Sequence, residues 1–165
     1  IDFEFVLIYN NVISLLKPSA DQKELTLKAN FDEGQFVYSD PVMLETVLRN
    51  LIGNAIKYSE KGGEIRTYIN RNNSEVQICV EDDGIGIKPE DLNNLFLIES
   101  KVKQKGTLNE DGSGIGLLLC KELVDKHRGR IWAESSLGKG SRFYVSLPLP
   151  SGSEFPARQQ SEDTK

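Results

Sequence analysis

Two short glycine-bearing segments limit what this chain can fold into more than any other feature. The first, Asp82 to Gly86, follows an apolar run that begins at Val76, which predicts a strand ending in a tight turn. Glycines in such a turn let a ligand approach the backbone closely. The second, residues 111–117, leads directly into an apolar helical run. Free backbone N–H groups and the helix dipole then point the same way, which predicts an anion site, with phosphate as the expected anion.

A third segment, Asn50 to Ser59, reads as part of a helix. It places Asn50 and Asn54 four residues apart, so both amides lie on one face. Two aligned amides can hold a metal ion, its waters and a phosphate, although solvated polar positions are the simpler interpretation. The rest of the helix is apolar, at Leu48, Leu51, Ile52, Ala55 and Ile56. Amides beside so much core favour a bound partner.

Together these segments resemble the ATP-binding catalytic domain of bacterial sensor histidine kinases. That group is a branch of the family that includes the gyrase, heat-shock chaperone and mismatch-repair ATPases. The N box corresponds to residues 50–59, the first G box to 82–86 and the second to 112–117, and the resemblance covers about residues 1–148. It implies a Bergerat-type ATP-binding fold, an α/β (α+β) two-layer sandwich. Such a fold has a mixed, mostly antiparallel sheet with about three helices on one face.

Asp82 is the strongest candidate for recognising the base. A carboxylate at the end of a strand can accept a hydrogen bond from the exocyclic amine of adenine, and guanine has no amine at that position. The alternative is that Asp82 only caps its turn. Asp83 is expected to point elsewhere into solvent, while Gly84 and Gly86 are expected to leave room for the base.

The resemblance assigns further roles within the N box. Asn54 matches the Mg²⁺ ligand, and Asn50 matches the residue that supports the phosphates and the metal-bound waters. Lys57 and Tyr58 match positions that pair with phosphate and pack along the nucleotide. A solvated lysine at a helix end is the alternative for Lys57.

The second G box and the segment before it complete the predicted site. The expected nucleotide contacts also include Ile87, Gly112, Ser113, Gly114, Gly116 and Leu117. The polar stretch between Leu97 and Gly112 is predicted to be a lid over the phosphates. Within it, Lys101 can neutralise phosphate charge, but it cannot fork onto phosphate as an arginine would. Phe96 fits the start of the F box, where Glu99 and Lys101 depart from the family pattern, as Thr46 does one turn before Asn50.

Asn50 separates two possible activities. Gyrase-type ATPases carry a glutamate base at this position, whereas an amide has no useful basicity, so phosphoryl transfer to a histidine is favoured over hydrolysis. His127 lacks the helical-hairpin context of an acceptor and is interpreted as a helix-end residue. The resemblance implies that the acceptor lies on a dimerisation domain absent from this chain, with relay to a response-regulator aspartate. A hydrolytic ATPase of the same superfamily and a non-catalytic or regulatory ATP-binding module remain alternatives.

Composition agrees with one ordinary globular domain. The chain has 165 residues, 27% of them charged, and a net charge of -5, which argues against unaided nucleic-acid binding. No apolar run is long enough to span a membrane, so we expect a cytoplasmic fragment without direct membrane contact. Because the chain begins with Ile1, it is expected to be part of a longer protein. Cys79 and Cys120 lie among apolar neighbours and are expected to be buried thiols.

The predicted organisation has three parts. Residues 1–18 form an amphipathic helix, ended by Lys17-Pro18, that resembles the tail of the dimerisation hairpin. Residues 19–150 form the ATP-binding catalytic domain as a single sheet with helices. In it, Ser39-Asp40-Pro41 starts the N-box helix with a capping side chain, and the helix runs to about Tyr58. Residues 151–165 have no core-forming pattern and are interpreted as a disordered tail or cloning remnant.

Overall fold

The computed structural model describes residues 2–97 and 116–150. In chain order the elements are β1 (Asp2–Glu4), α1 (Phe5–Gln22), β2 (Thr26–Asn30), β3 (Phe36–Tyr38), α2 (Pro41–Tyr58), β4 (Glu64–Arg71), β5 (Glu75–Asp82), α3 (Pro89–Leu92), α4 (Gly116–Lys126), β6 (Arg130–Ser135) and β7 (Ser141–Pro148). The main sheet has five strands in the order β2-β4-β5-β7-β6. Only β2 and β4 pair in parallel, and the other neighbours are antiparallel. The predicted two-layer α/β architecture with a mixed, mostly antiparallel sheet is therefore confirmed.

The core lies between one face of this sheet and helices α1, α2 and α4. Strand residues alternate between the two faces, so Val76, Ile78 and Val80 of β5 point inward and are each about 1% exposed. Asp82 continues this inward series at the end of the strand. The strand pattern thus brings a carboxylate, rather than another apolar side chain, to the helix-covered face.

Helix α2 has the bounds that the sequence predicts. Asp40 caps its N-terminus, because one carboxylate oxygen accepts hydrogen bonds from the backbone N–H groups of Val42 and Met43 at 2.8 and 3.2 Å. Pro41 occupies the first helical position, where its missing N–H costs nothing. Eight residues of α2 are buried, because the apolar face of this helix packs against the core.

The first helix differs from the predicted one at its C-terminal end. It continues through Pro18 to Gln22 instead of ending at Lys17-Pro18. Pro18 has no N–H to donate to the Ser14 carbonyl, but both residues lie on the exposed side of the helix, where water can hydrogen-bond to that carbonyl. Beyond the proline, Ala20 is buried, at 1% exposed. Packing of the last turn therefore outweighs the cost of the proline.

The expectation of a single sheet was also incomplete. Strands β1 and β3 form a separate antiparallel ribbon, with Phe3 opposite Val37. Beside it, Phe5, Tyr9 and Phe31 make edge-to-face contacts, with ring centroids 5.1 Å apart for Phe5–Phe31 and for Tyr9–Phe31. Helix α1 thus shares its buried face with the common core.

Both cysteines are free and buried, as predicted. Burial raises the pKa of the Cys79 thiol to about 11 and that of the Cys120 thiol to about 12. Within residues 2–97 and 116–150, no helix combines the length and the apolar character that a membrane crossing requires.

Candidate nucleotide-binding site

Asp82 is the last residue of β5, points to the helix-covered face of the sheet and is 5% exposed. Its carboxylate oxygen Oδ1 accepts a hydrogen bond from the backbone N–H of Gly84 at 2.9 Å. Burial raises the pKa of Asp82 to about 6, while backbone hydrogen bonds from Gly84 and Ser141 oppose that rise. A buried carboxylate held this way costs stability, and such groups cluster at functional sites. Asp82 therefore does cap its turn through Gly84, and Ser141 is a second backbone donor to the same carboxylate.

The first G box needs its glycines for a reason that the sequence did not reveal. A Cβ at Gly84 would collide with the backbone carbonyl of Tyr58, and a Cβ at Gly86 would collide with that of Ser136. Gly86 also has a φ of +73°, which disfavours side chains. The close neighbours are protein backbone, so these glycines are required for packing whether or not they also leave room for a base.

The turn between β6 and β7 clamps the first G box from the other side. Ile85 accepts a hydrogen bond from the backbone N–H of Gly138 at 2.8 Å, and Ile87 donates its N–H to the Ser135 hydroxyl at 2.9 Å. The Ser135 hydroxyl is also 2.8 Å from the Gly140 carbonyl and from the Ser141 hydroxyl. Ser135 carried no local signal in the sequence, so its contact with the first G box could not be predicted.

Asp83 points away from Asp82, as expected, but it is paired rather than simply solvated. Arg66 contacts both of its carboxylate oxygens, at 2.8 and 3.1 Å. Arg66 also donates to Glu81 at 2.7 Å, and Arg142 bonds to the same Glu81 from the other side. Burial alone would raise the pKa of Glu81, but the two guanidinium groups hold it below its usual range. Neighbouring acids in this segment therefore occupy opposite faces of the sheet.

The N box and the start of α4 meet at Asn50. A Cβ added at Gly116 would lie 2.6 Å from the Asn50 side-chain oxygen, so the first residue of α4 packs directly against this amide. The Asn50 amide nitrogen donates to the Thr46 carbonyl at 2.8 Å, and the Thr46 hydroxyl donates to the Val42 carbonyl at 3.0 Å. These bonds orient the Asn50 oxygen toward α4. Two segments that the sequence predicts to share a site are thus in direct contact.

The remaining N-box residues lie along the last turns of α2. Asn54 is partly buried one turn after Asn50, on the same face of the helix. The ammonium group of Lys57 lies 4.9 Å from the centre of the Tyr58 ring. The Tyr58 carbonyl accepts a hydrogen bond from the Ile85 N–H at 3.1 Å, which joins the N box to the first G box.

Some predicted residues fall outside the described part of the chain: Lys101, Glu99, Gly112, Ser113 and Gly114, together with the rest of the proposed lid. Of the described ones, Ile87 and Leu117 are partly buried and pack against the core. Phe96 contacts Phe143 edge to face, with ring centroids 6.5 Å apart.

His127 follows the end of α4, and its ring nitrogen Nδ1 lies 2.8 Å from the Leu123 carbonyl. This contact agrees with its interpretation as a helix-end residue.

Among residues 2–97 and 116–150, no group of three or more histidine, cysteine or acidic side chains is placed to hold a metal ion. The donors available for a cation at the N box are amide oxygens. One such oxygen together with phosphate oxygens and water is a set that Mg²⁺ accepts.

These segments are those of a known family. The sequence model of the family described as "Histidine kinase-, DNA gyrase B-, and HSP90-like ATPase" matches residues 39–151. The chain belongs to this family. The match spans the N box and both G boxes, as the resemblance predicted.

The relatives that this chain resembles include two sensor kinases. The chain is 41% identical over 140 residues to the adaptive-response sensory kinase SasA of Synechococcus sp. (strain JA-2-3B'a(2-13)), a match that covers 84% of this chain and 37% of the relative. It is 36% identical over 134 residues to the sensor protein SrrB of Staphylococcus aureus (strain NCTC 8325 / PS 47), covering 81% of this chain and 23% of the relative. The chain thus spans about a third or less of the length of these relatives.

Solved structures share the fold. The catalytic domain of histidine kinase ThkA superposes with a TM-score of 0.74 at 22% identity, covering 90% of this chain and 94% of that domain. A structure of ThkA in complex with the response regulator TrrA superposes with a TM-score of 0.72 at 22% identity, over 90% of this chain and 41% of that one. The predicted type, the ATP-binding catalytic domain of a sensor histidine kinase, is confirmed at the level of family and fold.

Proposed function

We propose that this chain binds ATP between α2, the first G box and the start of α4, and presents its γ-phosphoryl group to a histidine on a separate domain of the parent kinase. The observation that carries the proposal is the convergence of three distant segments on one place. Asn50 contacts the Gly116 position, Tyr58 bonds to Ile85, and the buried Asp82 lies two residues before Gly84 at the same turn.

Asp82 is proposed to recognise adenine. Its buried carboxylate faces the helix-covered side of the sheet, and an acceptor there distinguishes an exocyclic amine from the carbonyl of guanine. Asp82 has a pKa of about 6, so it is mainly ionised at neutral pH and is available as an acceptor.

Asn50, Asn54 and Lys57 are proposed to hold the triphosphate, with Asn54 as the protein ligand of Mg²⁺. Bound there, the metal would offset the negative charge of the phosphates. Asn50 cannot activate water, so we expect transfer to a neutral imidazole to be faster than hydrolysis. The second G box, Ile87 and Lys101 are proposed to complete the phosphate contacts.

The proposed partners are the dimerisation domain that carries the acceptor histidine and the receiver domain of a response regulator. A relative of the same fold was solved with a response regulator, which supports this assignment. The proposed location is the cytoplasm, whether or not the parent protein is anchored in a membrane.

Calorimetry tests the nucleotide assignment. ATP and GTP are titrated into the wild-type chain and into Asp82→Asn, with and without Mg²⁺. We expect the wild type to prefer ATP by at least tenfold and Mg²⁺ to tighten binding, while Asp82→Asn should lose most of the preference. Equal binding of both purines by the wild type would refute the role of Asp82.

A second experiment tests the reaction. The chain is mixed with a hairpin domain that carries an acceptor histidine, using ATP labelled at the γ-phosphate. Label on that histidine supports kinase function. Rapid release of inorganic phosphate by the chain alone would instead support a hydrolytic ATPase, and tight ATP binding with neither product would support a regulatory module.

A further inference from the structure

Lys23 is a buried lysine that no sequence motif marks. It follows the last residue of α1 and is only 3% exposed. Its ammonium group donates hydrogen bonds to the carbonyl oxygens of Ile56 at 2.9 Å and Lys57 at 2.8 Å, and lies 3.5 Å from that of Ser59. A buried ammonium is costly unless it is hydrogen-bonded, so this contact set explains why the side chain can be inside.

These contacts complete the C-terminus of α2. The last four carbonyl groups of a helix have no partner within it. Here the Ala55 carbonyl accepts hydrogen bonds from the Ser59 N–H and hydroxyl. The Lys23 ammonium donates to the next two carbonyls, those of Ile56 and Lys57. The Tyr58 carbonyl accepts from the Ile85 N–H. The end of the N-box helix is therefore shared between Lys23 and the first G box. A cation at this end also opposes the negative pole of the helix dipole.

The backbone around Lys23 is itself fixed. Its N–H bonds to the Ala20 carbonyl at 3.2 Å, and its own carbonyl accepts from the Gly62 N–H at 2.9 Å. Glu24, the next residue, has a φ of +53°, so the chain turns sharply here. The ammonium group thus extends from a turn that is anchored to α1 and to the loop after α2.

We propose that Lys23 is a positioning residue for the nucleotide site. It holds the final turn of α2 in the position where the Tyr58 carbonyl accepts the hydrogen bond from the Ile85 N–H. It thereby sets the separation between the N box and the first G box. It acts through Tyr58 and Ile85 rather than by contact with a ligand. This inference rests on the proposed function, because it assumes that the site between these segments takes a nucleotide.

The test compares Lys23→Met with Lys61→Met. Lys61 is a nearby surface lysine, 72% exposed in its side chain and paired only loosely with Glu24 at 3.6 Å, so its loss controls for a removed charge. Amide hydrogen exchange is measured by NMR without nucleotide, and the Kd of a non-hydrolysable ATP analogue is measured by calorimetry. In Lys23→Met we expect exchange at the Ile85 amide to rise at least tenfold, exchange at Ile78 in the middle of β5 to change less than threefold, and the Kd to rise at least tenfold.

In Lys61→Met both measurements should stay within twofold of wild type. A purely structural role would instead raise exchange throughout the sheet and leave the Kd of the folded fraction unchanged, and that result overturns the proposal. If Lys23→Met does not fold, Lys23→Gln, which keeps an amide donor, is measured in the same way. If neither variant folds, Lys23 serves stability alone and the proposal fails.

The two proposals can fail separately. If wild type binds no ATP analogue, the proposed function is wrong, while the exchange measurement still reports whether Lys23 secures Ile85. If wild type binds and Lys23→Met binds equally well, only the role of Lys23 is refuted.

Discussion

The carbonyl oxygen of Tyr58, at the end of α2, accepts a hydrogen bond from the backbone N–H of Ile85 at 3.1 Å. Tyr58 and Ile85 are 27 residues apart in the chain, so this bond joins two distant segments. It also leaves no space beside the Tyr58 carbonyl for a side chain at position 84. The N box and the first G box are therefore fixed to one another by backbone contacts before any ligand is considered.

Gly84→Ala is expected to lower the free energy of unfolding by about 2 to 3 kcal/mol, because the new methyl group collides with the Tyr58 carbonyl, which cannot move without disturbing α2. Gly53→Ala is the matched control. Gly53 lies within α2 with nothing within 4 Å of an added Cβ among the described residues, so alanine should stabilise the helix by about 0.5 to 1 kcal/mol. Urea unfolding of both variants measures these changes, and equal effects would contradict the packing role of Gly84.

Asp82→Asn is expected to stabilise the protein in a pH-dependent way. The pKa of Asp82 is about 6 in the folded protein and 3.8 in its reference state, so the folded state binds more protons between these values. The contribution of Asp82 to the free energy of unfolding therefore falls as pH rises from about 4 to about 6, and it stays low above pH 6. At pH 7.5 the variant should gain about 2 kcal/mol more than it gains at pH 4. Chemical unfolding at both pH values measures the difference, and a gain independent of pH would show that ionisation is not the cause.

Asp83→Asn is expected to leave nucleotide affinity within about twofold of wild type. Asp83 is 54% exposed in its side chain and turns to Arg66 on the other face of the sheet. Its exposed ion pair should contribute less than about 1 kcal/mol to stability. Calorimetry beside Asp82→Asn separates the two adjacent acids, and equal losses of affinity in both variants would contradict their opposite orientation.

Ser135→Ala is expected to cost about 1 to 2 kcal/mol of stability, because it removes the partner of the partly buried Ile87 N–H. It should also weaken ATP binding, since the first G box loses one of its anchors. Ser135→Thr keeps the hydroxyl group and suits a strand, so it should restore most of both properties. Thermal unfolding and calorimetry provide the measurements. A threonine variant as impaired as the alanine one would argue against the hydroxyl contact.

Asp40→Ala is expected to destabilise the chain by about 1 kcal/mol, because two N–H groups at the start of α2 lose their acceptor. Asp125→Ala is a suitable control, since the Asp125 side chain forms an exposed pair with Lys121 on α4. Its loss should cost less than about 0.5 kcal/mol. Similar urea midpoints for the two variants would contradict the capping role.

Local signals in the sequence determined much of this protein. The bounds of α2, its aspartate cap and the strand that ends at Asp82 followed from the spacing of apolar residues and from residues that turns and helix ends require. These features could be predicted because their physical causes act within a few positions along the chain. The three boxes were recognised through their resemblance to a known family.

Only the tertiary structure decided the contacts that join these segments. Lys23 is 33 residues from the Ile56 carbonyl that it caps, and Ser135 is 48 residues from Ile87. A lysine after a helix and a serine in a strand look like surface residues until the fold surrounds them. The same holds for Pro18, which remains helical because packing beyond it outweighs a local penalty. Such interactions depend on which distant surfaces meet, and no local pattern of residues encodes that.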